Sequence, residues 1–426
     1  MKKLLFILSA CVIIALSSMM VFAMEGDGTE EAPFLITNQG ELELVTDFPD
    51  CHFRLNNDIV LEGAWIPLCK QTPSGYFTGV FDGAGYTISN LSVIDGAYGG
   101  LFKTNRGIIK DTVVKGDISG EHYYVGGICA DNYGTVMRCK FEGSIENTYG
   151  IGYTGGICGY NLEVIENCAV SSDIIGQYYT GGICGCNSTA TISNCYFIGS
   201  IDSDSYKGGI VGYSSGSTYY KEYSYITDCY AASRLGSDGY GITGQDGKYV
   251  SVTTSYYDKT ISGLTSTSYG TPKSSAAMKM KQIYENDWDF ENTWGIDKNI
   301  NNGYPYLLWE YPDVEEHGPY TVNSIKITDL SGNELTKIPD KNFYFEINVT
   351  KNDNLKNADS LIIAIYDENG TFIDVKYMSG TYYKNQTMAF GALINKTDRK
   401  IGNIKGFVWN NVFGMVPLSN TMEIVK

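Results

Sequence analysis

Gly155-Gly156-Ile157-Cys158-Gly159-Tyr160-Asn161, followed by Ile165-Glu166-Asn167-Cys168, is one copy of a phrase that recurs through the middle of the chain. Its glycine pair returns at Gly99-Gly100, Gly126-Gly127, Gly155-Gly156, Gly181-Gly182 and Gly208-Gly209, at intervals of 27, 29, 26 and 27 residues. Six residues after each first glycine stands Asn105, Asn132, Asn161 or Asn187, with Ser214 in the last copy. An aliphatic residue follows at Ile109, Val136, Ile165 and Ile192, then a small or sulfur-bearing one at Thr112, Cys139, Cys168 and Cys195. Cys229 takes that place in the last copy, beyond an insertion at Ser215–Tyr223. Each period holds about three short β-type runs between Gly, Asn and Ser turns, the pattern of a β-solenoid rung.

One rung cannot bury its apolar face alone. It stacks on copies of itself about 4.8 Å away, so equivalent residues line up as ladders. Cys129, Cys158 and Cys184 form one expected interior ladder, and Cys139, Cys168, Cys195 and Cys229 another, since Cys fills space without needing a partner. The asparagines would bond both local backbone and the asparagine of the next rung. Paired glycines admit an approach of backbone that a Cβ forbids. The expected fold is all-β: a capped, right-handed parallel β-helix with rungs of roughly 27 residues, six or seven in number, making a rod about 30 Å long.

The block from Gly155 to Cys168 resembles the GLUG repeat of bacterial secreted and surface proteins, and Phe81-Asp82-Gly83-Ala84-Gly85 through Leu91 resembles the rung that commonly precedes it. Gly28-Thr29 with Pro33-Phe34-Leu35-Ile36 is similar to the usual entry segment, and Asn301-Asn302-Gly303-Tyr304-Pro305-Tyr306-Leu307 to the closing one. The resemblance implies a pectate-lyase-like β-helix over about residues 28–310 and a surface or extracellular binding role, adhesin-like.

Residues 1–23 read as a secretory signal: Lys2 and Lys3, an apolar run, then Val21-Phe22-Ala23. Cys11 imitates a lipoprotein cysteine, but apolar Val12–Leu16 follows it where polar chain belongs. No later apolar run is long enough to span a membrane. Residues 24–67 are expected to cap the β-helix of 68–265, with a short helix at Glu41–Val45 and a strand at Phe53–Leu61. Residues 266–311 would cap the other end through a helix at Lys273–Tyr284 and packing of Trp288, Phe290 and Trp294; that reading outweighs sugar stacking by the tryptophans. A linker at 312–320 leads to alternating strands over 321–426, such as Phe343–Val349 and Ser360–Tyr366, which suggest an immunoglobulin-like sandwich.

With the signal removed, 29 Lys and Arg face 48 Asp and Glu, a net −19 that argues against nucleic acid and anionic membrane as partners. Calcium is compatible with such a surface, but no metal site is read from the residues and no cofactor is expected. Seven of the ten remaining cysteines fall in the two ladders, where parallel Cβ vectors give poor disulfide geometry. Stacked thiols follow, as would suit an anaerobic source. Cys51 and Cys69, in the entry segment, are the pair best placed for a disulfide.

No catalytic constellation stands out. His52, His122 and His317 lie in separate segments, and neither His-Glu-x-x-His nor Gly-x-Ser-x-Gly occurs. The activity of IgA-cleaving zinc peptidases that carry GLUG repeats is therefore not implied. Asp111, Asp131 and Glu166 at comparable rung positions, with Arg106 and Arg138 nearby, are the acids and bases a glycan-cleaving β-helix would need; a solvated face is the simpler account. Tyr123, Tyr124, Tyr153, Tyr178, Tyr179, Tyr219 and Tyr220, with Tyr206 near them, recur around the rungs and are the candidate binding residues. The reading is a secreted, extracellular or cell-surface protein, non-catalytic, holding a glycan or a protein on its β-helix. A polysaccharide lyase or glycoside hydrolase is the alternative, and a structural spacer stands third.

Overall fold

The computed structural model describes residues 24–311 except 71–74, 95, 237 and 265–268, and residues 320–425 except 352–357, 384–385 and 410–421. Residues 1–23, where the sequence reads as a signal, and residues 312–319, His317 among them, lie outside the described residues. The chain divides into two compact units, Met1–Tyr311 and Pro312–Lys426.

The first unit is a parallel β-solenoid. Phe53, Phe81, Ile109, Val136, Ile165, Ile192 and Ile226 succeed one another in register from strand to strand, all fully buried. Val114, Phe141, Val170, Phe197, Ala231 and Tyr257 form a second interior column. The glycine pairs fit between these columns. A Cβ on Gly155 would lie 2.6 Å from Cα of Cys184 in the next rung, and one on Gly182 only 2.2 Å from the Phe197 ring. The first glycine thus passes under neighbouring backbone, and the second makes room for the aromatic column.

The asparagine column is continuous. Asn105, Asn132 and Asn161 each donate from Nδ2 to Oδ1 of the next asparagine at 2.8 Å, ending at Asn187, and all four are fully buried. Their carboxamides also meet the backbone two residues on, as where Gly134 N–H donates to Asn132 Oδ1 at 3.2 Å and Asn132 Nδ2 donates to Gly134 O at 2.9 Å. Ser214 and then Asp246 continue the column. Burial pushes the Asp246 carboxyl up to about 6, against 3.8 when free. A raised carboxyl favours the protonated folded state, so its contribution to stability is full below pH 4 and is lost as pH rises from about 4 to about 6. Discounted for solvent screening, the effect is about 1 kcal/mol. Asp246→Asn is expected to raise stability at pH 7 by that amount and leave it unchanged at pH 3.5, as thermal melts at the two pH values will show.

The corners of the rungs explain the cysteines. Asp111, Arg138, Asn167, Asn194, Asp228 and Thr254 take left-handed backbone, with φ of 52°, 48°, 53°, 50°, 54° and 46°. The next residue in each rung is Thr112, Cys139, Cys168, Cys195, Cys229 or Ser255, and its hydroxyl or thiol donates to the carbonyl two residues back. Thr112 does so at 2.7 Å, Cys168 at 3.2 Å, Cys229 at 3.1 Å and Ser255 at 2.9 Å. The position selects a small donor that tolerates burial. Asn and Asp adopt the left-handed corner readily, whereas an arginine there costs about 1–2 kcal/mol. The expected Cys51–Cys69 bridge is absent, and both residues stand as thiols. Cys69, itself left-handed at φ 61°, turns its buried Sγ toward Val45 O at 4.0 Å, while Cys51 packs beside Gly28.

The flanking segments differ from expectation. The parallel sheet begins at Phe34–Ile36, which pairs with His52–Leu55, so rung structure reaches well into residues 24–67. The strand expected at Phe53–Leu61 is two strands, His52–Leu55 and Ile59–Val60, interrupted by the turn-forming Asn56-Asn57-Asp58. The helix near Glu41 covers Gln39–Glu43, with Asn38 as its N-cap. Lys273–Tyr284 holds only a helical turn at Ser275–Met278 and a 3₁₀ turn at Lys281–Ile283.

Nor does the segment 275–311 simply close the end of the rod; it runs back along the flank as a strap. Trp288 Nε1 donates to Thr254 O at 2.9 Å, Trp294 Nε1 to Asn194 Oδ1 at 3.2 Å and Trp309 Nε1 to Asn167 O at 2.8 Å, each at a left-handed corner. Beneath it the outward column Ala169, Tyr196, Tyr230 and Tyr256 is buried, with Tyr196 and Tyr230 stacked at 5.1 Å. Glu310, buried, accepts from Tyr196 Oη at 2.9 Å and pairs with Lys140 at 3.1 Å.

The second unit sets two four-stranded antiparallel sheets face to face over one core, which contains Phe345 and Ile347 of one sheet and Leu361, Ile363 and Ile404 of the other. One sheet orders Glu334–Leu335, Tyr320–Thr328, Phe343–Lys351 and Thr387–Ile394; the other orders Phe372–Thr381, Ala358–Asp367, Ile401–Trp409 and Met422–Val425. A buried trio joins Asp359 to Tyr320 Oη at 2.5 Å and to Lys351 at 3.5 Å.

Candidate binding face of the solenoid

Tyr98, Tyr124, Tyr153 and Tyr179 stand at one register position of successive rungs, on strands just before the glycine pairs. Tyr206 extends the series, and neighbouring ring centroids lie 6.0, 5.3, 5.3 and 5.2 Å apart. A second column, two residues beyond the Gly-Gly-Ile-Cys phrase, holds Asp131, Tyr160, Cys186, Tyr213 and Gln245 in register. The chain folds back between the two columns, so Tyr124 stacks on Tyr160 at 5.4 Å and Tyr179 on Tyr213 at 4.9 Å, both pairs inclined by 26°. Tyr123, Tyr149 and Tyr178 widen the strip on its other side.

The rings are half-buried. They rigidify one another, each pair contributing about 0.5–1.5 kcal/mol beyond its buried area. Burial, reinforced by the neighbouring phenols, raises the Tyr124 and Tyr179 hydroxyls above the usual phenol value; Tyr153, beside Cys186, reaches about 12. These three stay protonated at neutral pH, so the middle of the strip presents apolar rings with neutral hydroxyls. At one end Lys103 sits 5.0 Å over the Tyr98 ring, and Arg106 lies between Tyr76 and Tyr133 at 4.2 and 5.1 Å.

Of the tyrosines singled out in the sequence, Tyr123, Tyr124, Tyr153, Tyr178 and Tyr179 come together here. Tyr219 and Tyr220 do not: they project from the insertion, 86% and 71% exposed, in a turn bridged by Ser217 and Glu222. Tyr98, Tyr149, Tyr160 and Tyr213 were not singled out. Counting register finds three of them, since Tyr98 lies 26 residues before Tyr124 and Tyr160 and Tyr213 each follow the glycine pair at one offset; Tyr149 lies outside both registers.

The acids do not gather. Asp111 is held by Arg138 through Nε at 2.5 Å and Nη2 at 2.8 Å, whereas Asp131 is nearly buried on another sheet and Glu166 sits two rungs from Asp111. Arg106 and Arg138 occupy different faces. Among the described residues no three His, Cys, Asp or Glu side chains cluster as a metal site. Trp288 and Trp294 belong to the strap and are buried between it and the solenoid, stacked at 4.3 Å.

Comparison with known proteins agrees with this architecture. Residues 176–202 match the family model described as the GLUG motif. A protein of Evansella cellulosilytica described as a candidate glycine-rich membrane protein is 29% identical over 133 residues, 28% of this chain and 15% of that one. The chain thus spans about 15% of the length of the curated relative it matches. A crystal structure from Bacteroides ovatus, of a candidate immunoglobulin A1 protease, superposes with a TM-score of 0.52 at 21% identity, over 67% of this chain and 94% of the other. That likeness is one of fold alone. Residues 176–202 thus carry the GLUG motif, and the same structural unit repeats in register on either side of it within the parallel β-helix.

Proposed function

We propose that this is a non-catalytic binding protein, secreted or displayed at the cell surface in the manner of an adhesin, which holds an extracellular glycan or protein on the tyrosine strip. The observation that carries the reading is the column of tyrosines running in register over successive rungs, flanked by Tyr160 and Tyr213 of the neighbouring column. Aromatic rings fixed by their neighbours give contact area at little entropic cost, as binding faces require. The signal-like residues 1–23 and the membrane protein of Evansella cellulosilytica support an extracellular or surface place. The second unit supports it too. Labelling its strands A, B, C, C′, E, F and G in order, with Glu334–Leu335 as an extra strand beside A, gives the sheets A-B-E and C′-C-F-G, an immunoglobulin-like arrangement.

The test is a glycan array and a panel of extracellular matrix proteins probed with the chain from Met24 to Lys426, with and without calcium. Retention is expected without release of product. Tyr153→Ala, which removes a half-buried ring at the centre of the strip, is expected to weaken retention at least tenfold, in line with loss of one aromatic anchor of about 2 kcal/mol. Release of cleaved sugar by the wild-type chain would refute the non-catalytic reading.

A further inference from the structure

The second unit buries an amine against a carboxylate. Tyr320 and Lys351 stand opposite each other on neighbouring strands of one sheet, and Asp359 lies near the start of Ala358–Asp367 in the other. Tyr320 belongs to the apolar core with Val349 and Leu361 and is itself fully buried. The Lys351 and Asp359 side chains are each 1% exposed. Every other ion pair among the described residues of this unit leaves both side chains at least 32% exposed.

The three polar ends form a relay. Lys351 Nζ donates to Tyr320 Oη at 3.1 Å, and Tyr320 Oη donates to Asp359 Oδ2 at 2.5 Å. Lys351 Nζ also lies 3.5 Å from Asp359 Oδ2 directly and 4.3 Å from the centre of the Tyr320 ring. Asp359 Oδ1 is different: it is buried and meets no hydrogen-bond partner among the described residues. As an ion pair the arrangement is poor. Charges taken out of water recover that cost only when the remaining lone pairs are satisfied, and here one oxygen is not.

We propose that Lys351 and Asp359 join as an intramolecular amide, with Nζ as nucleophile and Cγ as the carbon attacked. One proton passes from Nζ through the Tyr320 hydroxyl to the carboxylate, which leaves a neutral amine beside a neutral acid. Nζ bonds to Cγ, one C–O bond breaks, and that oxygen departs as water with the two protons that nitrogen gives up. An ammonium and a carboxylate thus become one neutral amide and one water, and neither oxidant nor co-reactant is needed. Groups fixed in contact react as if at very high concentration, and a dry core favours a neutral amide over two buried ions. The oxygen that remains keeps the bond from Tyr320, and the amide has no second oxygen to leave unpartnered. The new bond ties the end of Phe343–Lys351 in one sheet to the start of Ala358–Asp367 in the other, through a link that reductant leaves intact.

The experiment is intact-mass spectrometry of the chain from Met24 to Lys426, reduced and unfolded, followed by tryptic mapping. The chain is expected at about 18 Da below its sequence mass, the loss of one water. Trypsin should fail to cut after Lys351 and should yield a branched peptide, residues 342–356 joined to residues 357–376. Asp359→Ala and Lys351→Met should each return the full mass of their own sequence. Tyr320→Phe keeps the ring and loses the hydroxyl; with the circular dichroism of the wild type, most of that chain should stay unlinked. The proposal is overturned by a wild-type chain at full sequence mass, which leaves a buried ion pair only, or by the mass loss without the branched peptide. Complete linkage in Tyr320→Phe would overturn the part given to the tyrosine.

Discussion

Asn132→Leu is expected to destabilise the solenoid by about 3–5 kcal/mol, from several buried polar groups stranded at about 1–3 kcal/mol each. The carboxamide of Asn132 accepts from Asn105 at 2.8 Å and from Gly134 N–H, and donates to Gly134 O, to Asn161 at 2.8 Å and to Val164 O at 3.1 Å. Leucine keeps the branching and the number of side-chain heavy atoms but none of these partners, so the loss is chiefly one of hydrogen bonding, with some crowding from the bulkier methyls added. Urea titration should show the midpoint fall sharply. Asn132→Ser, the residue found at Ser214, should lose less. A leucine variant within 1 kcal/mol of wild type would mean that the column is ornamental.

Trp294→Ala is expected to have a similar effect, about 3–5 kcal/mol for a large buried aromatic, but confined to one side of the rod. Trp294 is fully buried, stacks on Trp288 at 4.3 Å and bonds the corner residue Asn194. Its removal should free the strap while the inner columns persist. Hydrogen exchange should therefore quicken over residues 275–311 and at Tyr196 and Tyr230 before it quickens at Ile165 or Ile192. Uniform quickening would mean that strap and solenoid form a single cooperative unit.

The contrast between these two sites shows what the sequence makes legible. Asn132 announces itself through period, because the rungs are copies and any residue required by stacking must recur. The tyrosine strip was half visible for the same reason: Tyr123-Tyr124 and Tyr178-Tyr179 repeat as pairs, but the second column joins them only through a fold-back between strands that period alone does not show. The strap was read as an end cap because its tryptophans occur once, and a segment used once carries no register. Cys51 and Cys69 misled for a related reason. They belong to no ladder, and two cysteines of an entry segment suggest a bridge until their side chains are seen to point into different packing. Arg138 lay in plain sight as the one basic residue in a series of Asp, Asn and Thr, but its left-handed backbone had to be seen before the substitution became unusual.

The strap also has a bearing on how the molecule is made. A solenoid emerging from its N-terminus can add each rung to the one before, every step local. Trp309 reaches back 142 residues to Asn167 and Trp294 reaches back 100 to Asn194, so these contacts close only after several later rungs are in place. The last part of the unit to be synthesised thus fastens rungs stacked long before, and unravelling from the C-terminal end must first strip it away. Slow unfolding, more than equilibrium stability, is the property such a late fastening confers.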